Sequence, residues 1–553
     1  MKLRRSTLAP AAVLTVAVLT GGWFLQQGVD EEQNVYVQVR LFQEVVDHIA
    51  SQYVEDVDRG RLYQSAIEGL IGELGDPNTS FLQASDYEDL RIRTQGDYGG
   101  VGLEITERDG YVTVVAPIQG TPGARAGIRS GDQFVEIAGQ PAEGWSSDQA
   151  VEVLRGEAGS EVDVKVRRLG VDQPIEFTLE RARIHLRSVP FAMDMGDGIA
   201  YVPLDIVRES SSQEVRTALD SLRADGATRG LILDVRSNPG GLLEQGIALS
   251  DMFLERGAAI VETRGRAVGQ NETFSASSGE RYEGVPIVVL VDEYSASASE
   301  IIAGALQDHD RALVVGVPSF GKGSVQTLFR LTGGNVLRLT TARWYTPAGR
   351  SIAKDHEEDL PGSQVGTLTL GGVPTSIPDL EDRPTVQSMG GRTLYGGGGI
   401  TPDVIIMADT LTTDEQRAVR GLYRQAGAFN NALFRYAVRY IQEHPDLSPG
   451  FRLEPGALDG LYATLPDYGI DVERETFDAA ARYVRYQLES EIGLQKWSDA
   501  GEFRARMAYD RQLQRALEIL RRADSTEGLF RVASADAGAV ARQAAGAPAA
   551  GGR

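Results

Sequence analysis

Cysteine is absent from the 553-residue chain, and histidine occurs only five times. Without cysteine there is no thiol nucleophile, no disulfide framework and no lipid-attachment cysteine near the N-terminus. No serine sits in a G-x-S-x-G motif, and no H-E-x-x-H or similar metal-ligand cluster occurs in the sequence. His309 is interpreted as a solvated residue at a helix end. Neither a histidine-assisted serine nor a metal centre therefore has support in this sequence.

Positive charge is also scarce. The 55 lysines and arginines face 78 aspartates and glutamates, which gives a formal net charge of −23. So acidic a chain is predicted not to bind nucleic acid, and it offers no polybasic patch for anionic lipid. The hydrophobic content of 42% is ordinary for globular proteins, and the length suggests three or four domains.

The N-terminal residues resemble a targeting segment. Lys2, Arg4 and Arg5 precede an apolar run over residues 8–25. This pattern predicts a secretory signal or a membrane anchor within residues 1–29. The run is about the minimum length of a spanning helix, and it lacks a good A-x-A cleavage site, which favours an uncleaved anchor. Either form directs the rest of the chain to the periplasm or the cell exterior.

A serine-rich stretch lies between a predicted buried strand and a predicted helix. The apolar run 285–291 is followed by Tyr294-Ser-Ala-Ser-Ala-Ser-Glu300 and then by the helical pattern of 301–306. A small residue at such a junction exposes its side chain beside the free N–H groups of the helix start. The position suits a nucleophile, although this stretch alone fits a helix-capping serine better.

A lysine follows the next predicted strand. Lys322 stands between Gly321 and Gly323, after the apolar run 312–316. A phosphate loop is the competing interpretation, because residues 316–322 nearly spell one. The residue after the lysine is glycine instead of Ser or Thr, and the residues that follow are β-like, so this interpretation is rejected. Lysine is thus left as the base for a serine hydroxyl.

A lysine base needs a lowered pKa. To act near neutral pH its pKa must fall from about 10.4 toward 7, at a cost of about 4 kcal/mol. Burial has this effect, and Phe320, Val325 and the flanking glycines fit an apolar pocket around Lys322. A carboxylate nearby would raise the pKa instead. Glu300 is therefore predicted to point away from Lys322.

Three motifs occur in a characteristic order. They are Asp234-Val-Arg-Ser-Asn-Pro-Gly-Gly-Leu-Leu243, Ser295-Ala-Ser-Ala-Ser-Glu300 and Phe320-Gly-Lys-Gly-Ser-Val-Gln326. With a PDZ-like segment upstream, they resemble the C-terminal processing peptidases of family S41, which are PDZ-containing Ser/Lys proteases of bacterial periplasms and plastids. The resemblance covers about residues 35–403.

The resemblance implies a site and a reaction. The family nucleophile falls on Ser297, the general base on Lys322, and the residue that orients the lysine on Gln326. The expected reaction is acyl transfer, in which Ser297 attacks a peptide carbonyl, and the family needs no metal or organic cofactor.

The oxyanion donors are also implied by the resemblance. They map to the N–H of Ala298 and to the N–H of either Gly240 or Gly241, and the choice between the two glycines stays open. Asp234 and Arg236 are interpreted as a structural pair that braces this glycine turn.

Residues 99–183 have the order of elements of a PDZ domain. A glycine-rich turn precedes a strand, and the sequence then predicts a short helix, a second strand and a helix over Ser147–Leu154. Such a turn exposes N–H groups that can bind a C-terminal carboxylate while the peptide adds as a strand. The predicted peptide-binding residues are Gly100, Val101, Gly102 and Leu103.

The predicted fold class is a multidomain α/β protein. Its parts are a signal or anchor (1–29), a helical region (30–95), a PDZ domain (96–183), a peptidase core (184–409) with an insertion (353–395), a helical C-terminal domain (410–530) and a disordered tail (531–553). Alternating strands and helices predict the α/β core, and the resemblance implies a crotonase- or Clp-protease-like arrangement. A single helix is predicted over residues 503–522.

Two functions follow from these observations. The first is an extracytoplasmic serine endopeptidase, tethered to the inner membrane or secreted, that cuts unfolded proteins near their C-termini. The second is a non-cleaving PDZ scaffold that binds C-terminal tails. A homodimer is expected. An activating adaptor remains open, under the hypothesis that the C-terminal domain inhibits the protease until a partner binds. In that case, deleting residues after Asp409 would raise activity.

Overall fold

The computed structural model describes residues 35–354, 367–375 and 383–535. The predicted signal or anchor lies outside these ranges. No helix within them is long and apolar enough to cross a membrane. The described residues form two compact units, of which the smaller combines residues 35–84 with 326–340 and the larger contains the rest.

The elements are numbered in chain order. The first part of the chain contains α1 (Val35–Gln52), α2 (Arg59–Gly72), β1 (Ser80–Leu82), α3 (Ala84–Gln95), β2 (Asp97–Gly100), β3 (Leu103–Arg108), β4 (Tyr111–Pro117), α4 (Pro122–Ala126), β5 (Gln133–Ile137), β6 (Gln140–Pro141), α5 (Ser147–Leu154), β7 (Glu161–Arg167), β8 (Ile175–Glu180) and β9 (Ala182–His185). The middle part contains β10 (Met193–Asp194), β11 (Ile199–Pro203), α6 (Ser211–Ala224), β12 (Gly230–Asp234), α7 (Leu243–Asp251), β13 (Ala259–Gly265), β14 (Glu272–Ser275), β15 (Ile287–Val291), α8 (Ala298–Asp308), β16 (Ala312–Gly316), β17 (Ser324–Arg330) and β18 (Val336–Tyr345). The last part contains β19 (Thr367–Leu368), β20 (Pro374–Thr375), β21 (Thr385–Gln387), β22 (Thr393–Tyr395), β23 (Val404–Ile405), α9 (Thr413–Leu422), α10 (Ala426–Glu443), α11 (Ala457–Thr464), α12 (Arg474–Ala479), α13 (Ala481–Arg506) and α14 (Arg511–Arg522).

The smaller unit contains the two predicted N-terminal helices. Asp58 caps α2 by accepting a hydrogen bond from the N–H of Arg61. In the same unit, β1 pairs antiparallel with the first residues of β18, with Ser80 opposite Arg338. Residues 326–340 thus belong with the helical region, which the sequence had predicted to end at residue 95.

The PDZ-like segment is an antiparallel sheet with strand order β3-β4-β5-β7-β8. Strand β7 alternates buried residues with more exposed ones, and Val112, Val114, Phe134 and Val164 form part of the core of this sheet. The N-terminus of α5 is fixed by a capping box at Ser146. Among the described residues, β3 is the end strand of this sheet, so one of its edges is unpaired there.

The larger unit is built on a six-stranded sheet of order β10-β11-β12-β15-β16-β23. The strands from β11 onward pair in parallel, and β12, β15 and β16 are buried along their whole length. Their continuous apolar runs are typical of strands that are covered on both faces. Helices α6, α7 and α8 cover one face, where Val215, Leu249 and Ile301 join Leu233 and Val289 in one core.

The second face of this sheet is covered by the end of the chain. Leu513, Leu517 and Leu520 of α14 pack against Ile232 and Val288 on that face. The predicted boundary at residue 410 therefore does not separate two independently packed bodies. The last helix of this segment is part of the peptidase core, and the hypothesis that the segment inhibits the protease stays a prediction.

The other C-terminal helices form a core of their own, which includes Phe429, Phe477 and Leu488. The single helix predicted over residues 503–522 is interrupted, because Asp510 has an extended backbone and caps α14 through the N–H of Leu513. Residues 526–535 are helical, so the predicted tail is helical over its first five residues, and the rest of it lies outside the described residues. Within the predicted insertion, the described residues form two short hairpins, β19–β20 and β21–β22.

Candidate active site

The serine-rich stretch forms a braced turn between β15 and α8. Ser297 precedes α8 with φ +55° and ψ −114°, a conformation that non-glycine residues rarely adopt. Asp292 holds the turn, because its carboxylate accepts hydrogen bonds from the N–H groups of Tyr294 and Ser295, both at 3.0 Å. Backbone strain of this kind is typical of functional turns, including the serine turn of other hydrolases.

The three serines of this stretch have different surroundings. Ser295 and Ser299 are fully buried, and their hydroxyls donate to the carbonyls of Val235 and Asn238 at 2.8 and 3.1 Å. Ser297, the predicted nucleophile, is only half-buried. The fold thus uses the two outer hydroxyls structurally and leaves the middle serine accessible.

The turn after β12 is joined to the serine turn. The carbonyl of Asn238 accepts the N–H of Ala296 at 2.9 Å, and the N–H of Ser237 donates to Asp292 at 2.8 Å. Gly240 packs closely against the serine turn, since a Cβ built on it would lie 2.8 Å from Cβ of Ser297. Only glycine can occupy that position without displacing the serine.

The two candidate glycine donors differ in their hydrogen bonds. The N–H of Gly240 donates to the side-chain oxygen of Asn238 at 2.9 Å, so it is directed into the turn. A Cβ on Gly240 would also lie 2.9 Å from the nitrogen of Ala298. Gly241, the next residue, forms an isolated β-bridge with Val207. Unlike the N–H of Gly240, its N–H does not donate to Asn238.

The carboxylate of Glu300 connects the serine turn to the lysine loop. One oxygen accepts the N–H of Ser297 at 2.7 Å and the N–H of Lys322 at 2.9 Å. The other oxygen accepts the hydroxyl of Ser319 at 2.6 Å and the N–H of Gly321 at 2.7 Å. Burial raises the pKa of Glu300, although these four donors oppose the rise. The prediction that Glu300 points away from Lys322 is wrong.

The lysine loop is tightly packed, which explains its glycines. A Cβ on Gly321 would meet the backbone N of Gly399 at 3.1 Å, and one on Gly323 would meet Cβ of Ala353 at the same distance. The indole N–H of Trp344 donates to the carbonyl of Lys322 at 3.1 Å. A strand, β17, follows the loop where a phosphate loop requires a helix, which confirms the rejection of that interpretation.

Gln326 lies in β17, four residues after the lysine, so its side chain shares a strand face with that of residue 324. Its amide nitrogen is 3.5 Å from the hydroxyl oxygen of Thr340, at the outer limit of a hydrogen bond. The role that the resemblance implies for this residue stays a prediction.

Asp234 and Arg236 do pair, as predicted. The Asp234 carboxylate lies 2.6 Å from an Arg236 nitrogen, and the hydroxyl of Tyr201 donates to Asp234 at 2.7 Å. The guanidinium also binds Asp510 and Gln512, which precede and begin α14. The sequence does not indicate these two C-terminal partners, because no local pattern joins residues so distant along the chain.

His309 differs from its prediction. Its ring Nε2 lies 2.7 Å from the carbonyl oxygen of Ala259. It is a half-buried residue that links the end of α8 to β13, rather than a solvated one. Among the described residues, no group of three or more His, Asp and Glu side chains is placed to hold a metal ion.

A cavity of about 630 Å³ lies beside the serine turn, between the end of the core sheet and the C-terminal helices. Asp205, Glu293 and Tyr294 line it from the core, and Asp499 and Glu502 line it from α13. Burial, together with the charges of Asp499 and Asp234, raises the pKa of Asp205 to about 6. Burial also raises the pKa of Glu293 and of Glu502.

The predicted peptide-binding residues lie between the end of β2 and the start of β3, the strand with one unpaired edge in the described part of the sheet. Gly102 has φ +72°, and its carbonyl accepts the hydroxyl of Thr121 at 2.9 Å. The carbonyl of Val101 accepts the N–H of Gly123 at 2.9 Å. The turn between Gly100 and Leu103 is thus fixed by α4 and the residue before it, and it leads directly into β3.

Three protein-family models match the sequence. Residues 198–361 match peptidase family S41, residues 113–168 match the PDZ domain, and residues 23–85 match the N-terminal domain of the activating protease CtpB. These matches, on a mixed α/β core with a serine in a strained turn, define the protein as a serine-type peptidase.

Individual relatives point to one group of such peptidases. A carboxy-terminal-processing protease of Bartonella bacilliformis is 40% identical over 326 residues, which cover 58% of this chain and 74% of the relative. A carboxyl-terminal-processing protease of Synechocystis sp. is 38% identical over 295 residues, or 52% of this chain and 68% of the relative. A solved structure of a photosystem II D1 C-terminal processing protease is 32% identical, with a TM-score of 0.33, and covers 56% of this chain and 83% of that one. The chain belongs to the carboxy-terminal-processing proteases of family S41, and it carries a PDZ domain.

Proposed function

We propose that the protein cuts other proteins near their C-termini with Ser297 as nucleophile and Lys322 as base. One observation carries this assignment: Ser297 is the accessible serine in a strained turn, and Glu300 binds the backbone of that serine and of Lys322 through the same oxygen atom. A neutral lysine at this place can accept the serine proton without histidine. The family model over residues 198–361 spans both residues.

The reaction proceeds through an acyl-enzyme. The hydroxyl oxygen of Ser297 attacks the peptide carbonyl carbon, while Nζ of Lys322 takes the hydroxyl proton. The C–N bond then breaks, and the lysine returns the proton to the leaving amine. Water, deprotonated by the same lysine, attacks the ester, and the serine regains its proton. Gln326 is proposed to orient the lysine, since a neutral amide can hold an amine without adding charge.

The oxyanion is proposed to accept hydrogen bonds from the N–H of Ala298 and the N–H of Gly241. Ala298 is the first residue of α8, where N–H groups have no partner within the helix. Gly241 is preferred over Gly240 because the N–H of Gly240 donates to Asn238. Two preorganised donors of this kind supply much of the rate enhancement in acyl transfer.

Substrate recognition is assigned to the PDZ domain. A C-terminal peptide would add as a strand along the unpaired edge of β3, and its carboxylate would bind N–H groups of Gly100, Val101, Gly102 and Leu103. This edge is unpaired in the described part of the sheet. The substrates are therefore unfolded proteins, or folded ones with an exposed apolar tail.

The N-terminal helices are proposed to mediate a homodimer. Their apolar side chains face outward: Tyr36, Leu41 and Leu70 are 87, 57 and 74% exposed. Val46 is the one residue of α1 that is buried. Apolar surface of this extent is typical of a protein interface. A second copy can cover it with the same face, as two-fold dimers do.

An extracytoplasmic location is proposed from residues 1–29, whose structure is not described. The pattern of basic residues followed by an apolar run supports either an inner-membrane tether or a secreted, cleaved form. If the protease requires an activating adaptor, the purified chain alone should not cut a substrate.

The experiment measures how three forms of the chain, each starting at residue 33, bind and cut an unstructured reporter protein. The reporter has an apolar, free C-terminus. Wild type should cut it, while Ser297→Ala and Lys322→Ala should bind it without cutting. An otherwise identical reporter with a C-terminal amide should be cut less efficiently through a higher KM. If all three forms bind the tail and none cuts, a non-cleaving scaffold or a missing adaptor replaces this proposal.

A further inference from the structure

Arg236 lies just before the turn that contains Gly240 and Gly241, to which we assigned an oxyanion donor. Its guanidinium donates to both oxygens of Asp234, with Nε–Oδ1 at 2.9 Å and a second nitrogen to Oδ2 at 2.6 Å. The side chain is 17% exposed and Asp234 is 7% exposed. The N–H of Arg236 also donates to Asp234 at 3.0 Å. One side of the guanidinium thus binds Asp234, the last residue of β12.

The other half is bound by the C-terminal segment. Asp510 accepts two hydrogen bonds from the guanidinium, at 2.9 and 2.8 Å, and the side-chain oxygen of Gln512 accepts a third at 3.0 Å. A pair of parallel bonds between a guanidinium and a carboxylate is both strong and directional. Burial alone would lower the pKa of Arg236, but the charges of Asp234 and Asp510 raise it, so the guanidinium stays charged.

Asp510 is itself fixed in place. One of its oxygens accepts the N–H of Leu513 at 2.9 Å and so caps α14, the helix that covers the core sheet. The amide of Gln512 donates to the carbonyl of Ile406 at 2.8 Å. Both residues lie well beyond residue 361, where the match to the peptidase family model ends.

We propose that Asp510 is a positioning residue for the peptidase reaction, which acts through Arg236 on the turn that contains Gly240 and Gly241. This inference rests on the proposed function and extends its machinery to the C-terminal segment. In this proposal the C-terminal helices help to hold the serine site in its active geometry.

Asp510 can act through Arg236 because the guanidinium is buried and each of its N–H donors needs an acceptor. Without the Asp510 carboxylate, two N–H groups of Arg236 lose their partners, and only Asp234 and Gln512 still hold the guanidinium, so its position beside the cavity is less well fixed. Arg236 is followed by Ser237, whose φ is +56° and whose N–H donates to Asp292 at 2.8 Å. Movement of Arg236 therefore shifts the glycine N–H groups, and oxyanion donors act only when their geometry is kept.

If Asp510 had a purely structural role, its replacement would lower the stability of the protein without a joint loss of kcat and of affinity for a transition-state analogue. The discriminating readout is a peptide aldehyde, whose adduct with the serine carries an oxygen in the place of the oxyanion. If Asp510 positions the turn, kcat and aldehyde affinity fall together, while KM stays the same because the tail binds elsewhere.

The test uses the chain from residue 33 with Asp510→Asn, and with Asp197→Asn as a matched control. Asp197 binds Arg521 at 2.9 Å and joins the opposite end of α14 to the core, far from the glycine turn. We expect Asp510→Asn to lower kcat and aldehyde affinity about 10- to 100-fold, with KM within about twofold. The control should change kcat less than about twofold. If Asp510→Asn does not fold, Gln512→Ala removes one bond to Arg236 and should show the same split at smaller amplitude.

A folded Asp510 variant with unchanged kcat would overturn the proposal. So would an equal loss in the Asp197 control, or a loss of kcat without a loss of aldehyde affinity. Ser297→Ala is measured in parallel to separate the two claims. If it still cuts, the proposed function fails, whereas an inactive Ser297 variant beside a fully active Asp510 variant rejects only the positioning role.

Discussion

Glu300, in the first turn of α8, accepts a hydrogen bond at 2.9 Å from the N–H of Lys322 in the loop before β17. The same oxygen accepts the N–H of Ser297, so one carboxylate sets the spacing of the two backbones that carry the proposed nucleophile and base. Its charge is balanced by four donors, which reduces its effect on the lysine. The carboxylate thus positions the site instead of opposing it.

Replacing Glu300 with Gln should damage both stability and activity. The amide presents a donor to N–H groups that need an acceptor, so at least one pair of contacts is lost. We expect the free energy of unfolding to fall by about 2–4 kcal/mol and kcat at least about 10-fold. Ser319→Ala removes one donor to Glu300 and the acceptor of the Ile400 N–H, and should cost about 2 kcal/mol. Denaturant titration and peptide cleavage check this, and wild-type kcat in folded Glu300→Gln would contradict it.

Asp205 should make stability depend on pH. Its pKa is raised to about 6 by burial and by Asp499 and Asp234, whereas it is near 3.9 in the unfolded chain. The folded protein therefore binds the proton more tightly, and this group costs stability as pH rises from 4 through 6. Asp205→Asn should raise the free energy of unfolding by about 1 kcal/mol at pH 8, after allowance for solvent screening, and by nothing at pH 4. A constant difference across this range would refute the assignment.

Removing the C-terminal helices should unfold the core. Deletion after Asp409 strips α14 from the sheet, and its four large apolar residues contribute on the order of 10 kcal/mol by burial, comparable to the whole stability of a domain. We expect an insoluble chain, or a soluble one without near-UV circular dichroism. Deletion after residue 535 is the control and should fold. A cooperative, more active chain ending at Asp409 would support the inhibitor hypothesis.

The N-terminal helices should control the oligomeric state. Leu41→Glu combined with Leu70→Glu places charge on the exposed apolar face, and should convert the proposed dimer to monomer in analytical ultracentrifugation. Because both side chains are exposed, the melting temperature of the monomer unit should barely change. Glu68→Lys, an exposed polar position on α2, is the matched control and should remain dimeric. A double variant that stays dimeric places the interface elsewhere.

The sequence was sufficient for the local architecture around the serine. The apolar runs that predicted β15 and β16, and the small residues between β15 and α8, depend only on neighbours along the chain. The same holds for β17, which follows Lys322 and excludes a phosphate loop. These features are encoded in short windows, where periodicity and turn chemistry are informative.

The features that the sequence could not predict depend on contacts between residues that are distant along the chain. Glu300 was expected to avoid Lys322 because a bare carboxylate raises a lysine pKa, but the folded loop supplies backbone donors that no local pattern shows. The binding of Arg236 by Asp510 joins residues 274 positions apart. Likewise, α14 was predicted as part of a separate domain, since its amphipathic pattern does not say which surface its apolar face covers.

The most direct test of the central claim is the site and pH dependence of acylation by a serine-directed acylating reagent, followed by peptide mass mapping. The account predicts one modified residue, Ser297, in the wild type, with Ser295 and Ser299 unmodified because both are buried and hydrogen-bonded. Lys322→Ala should slow this acylation at least about 100-fold at pH 8, as expected for loss of a general base. Modification of a different residue, or an undiminished rate in Lys322→Ala, would contradict the account.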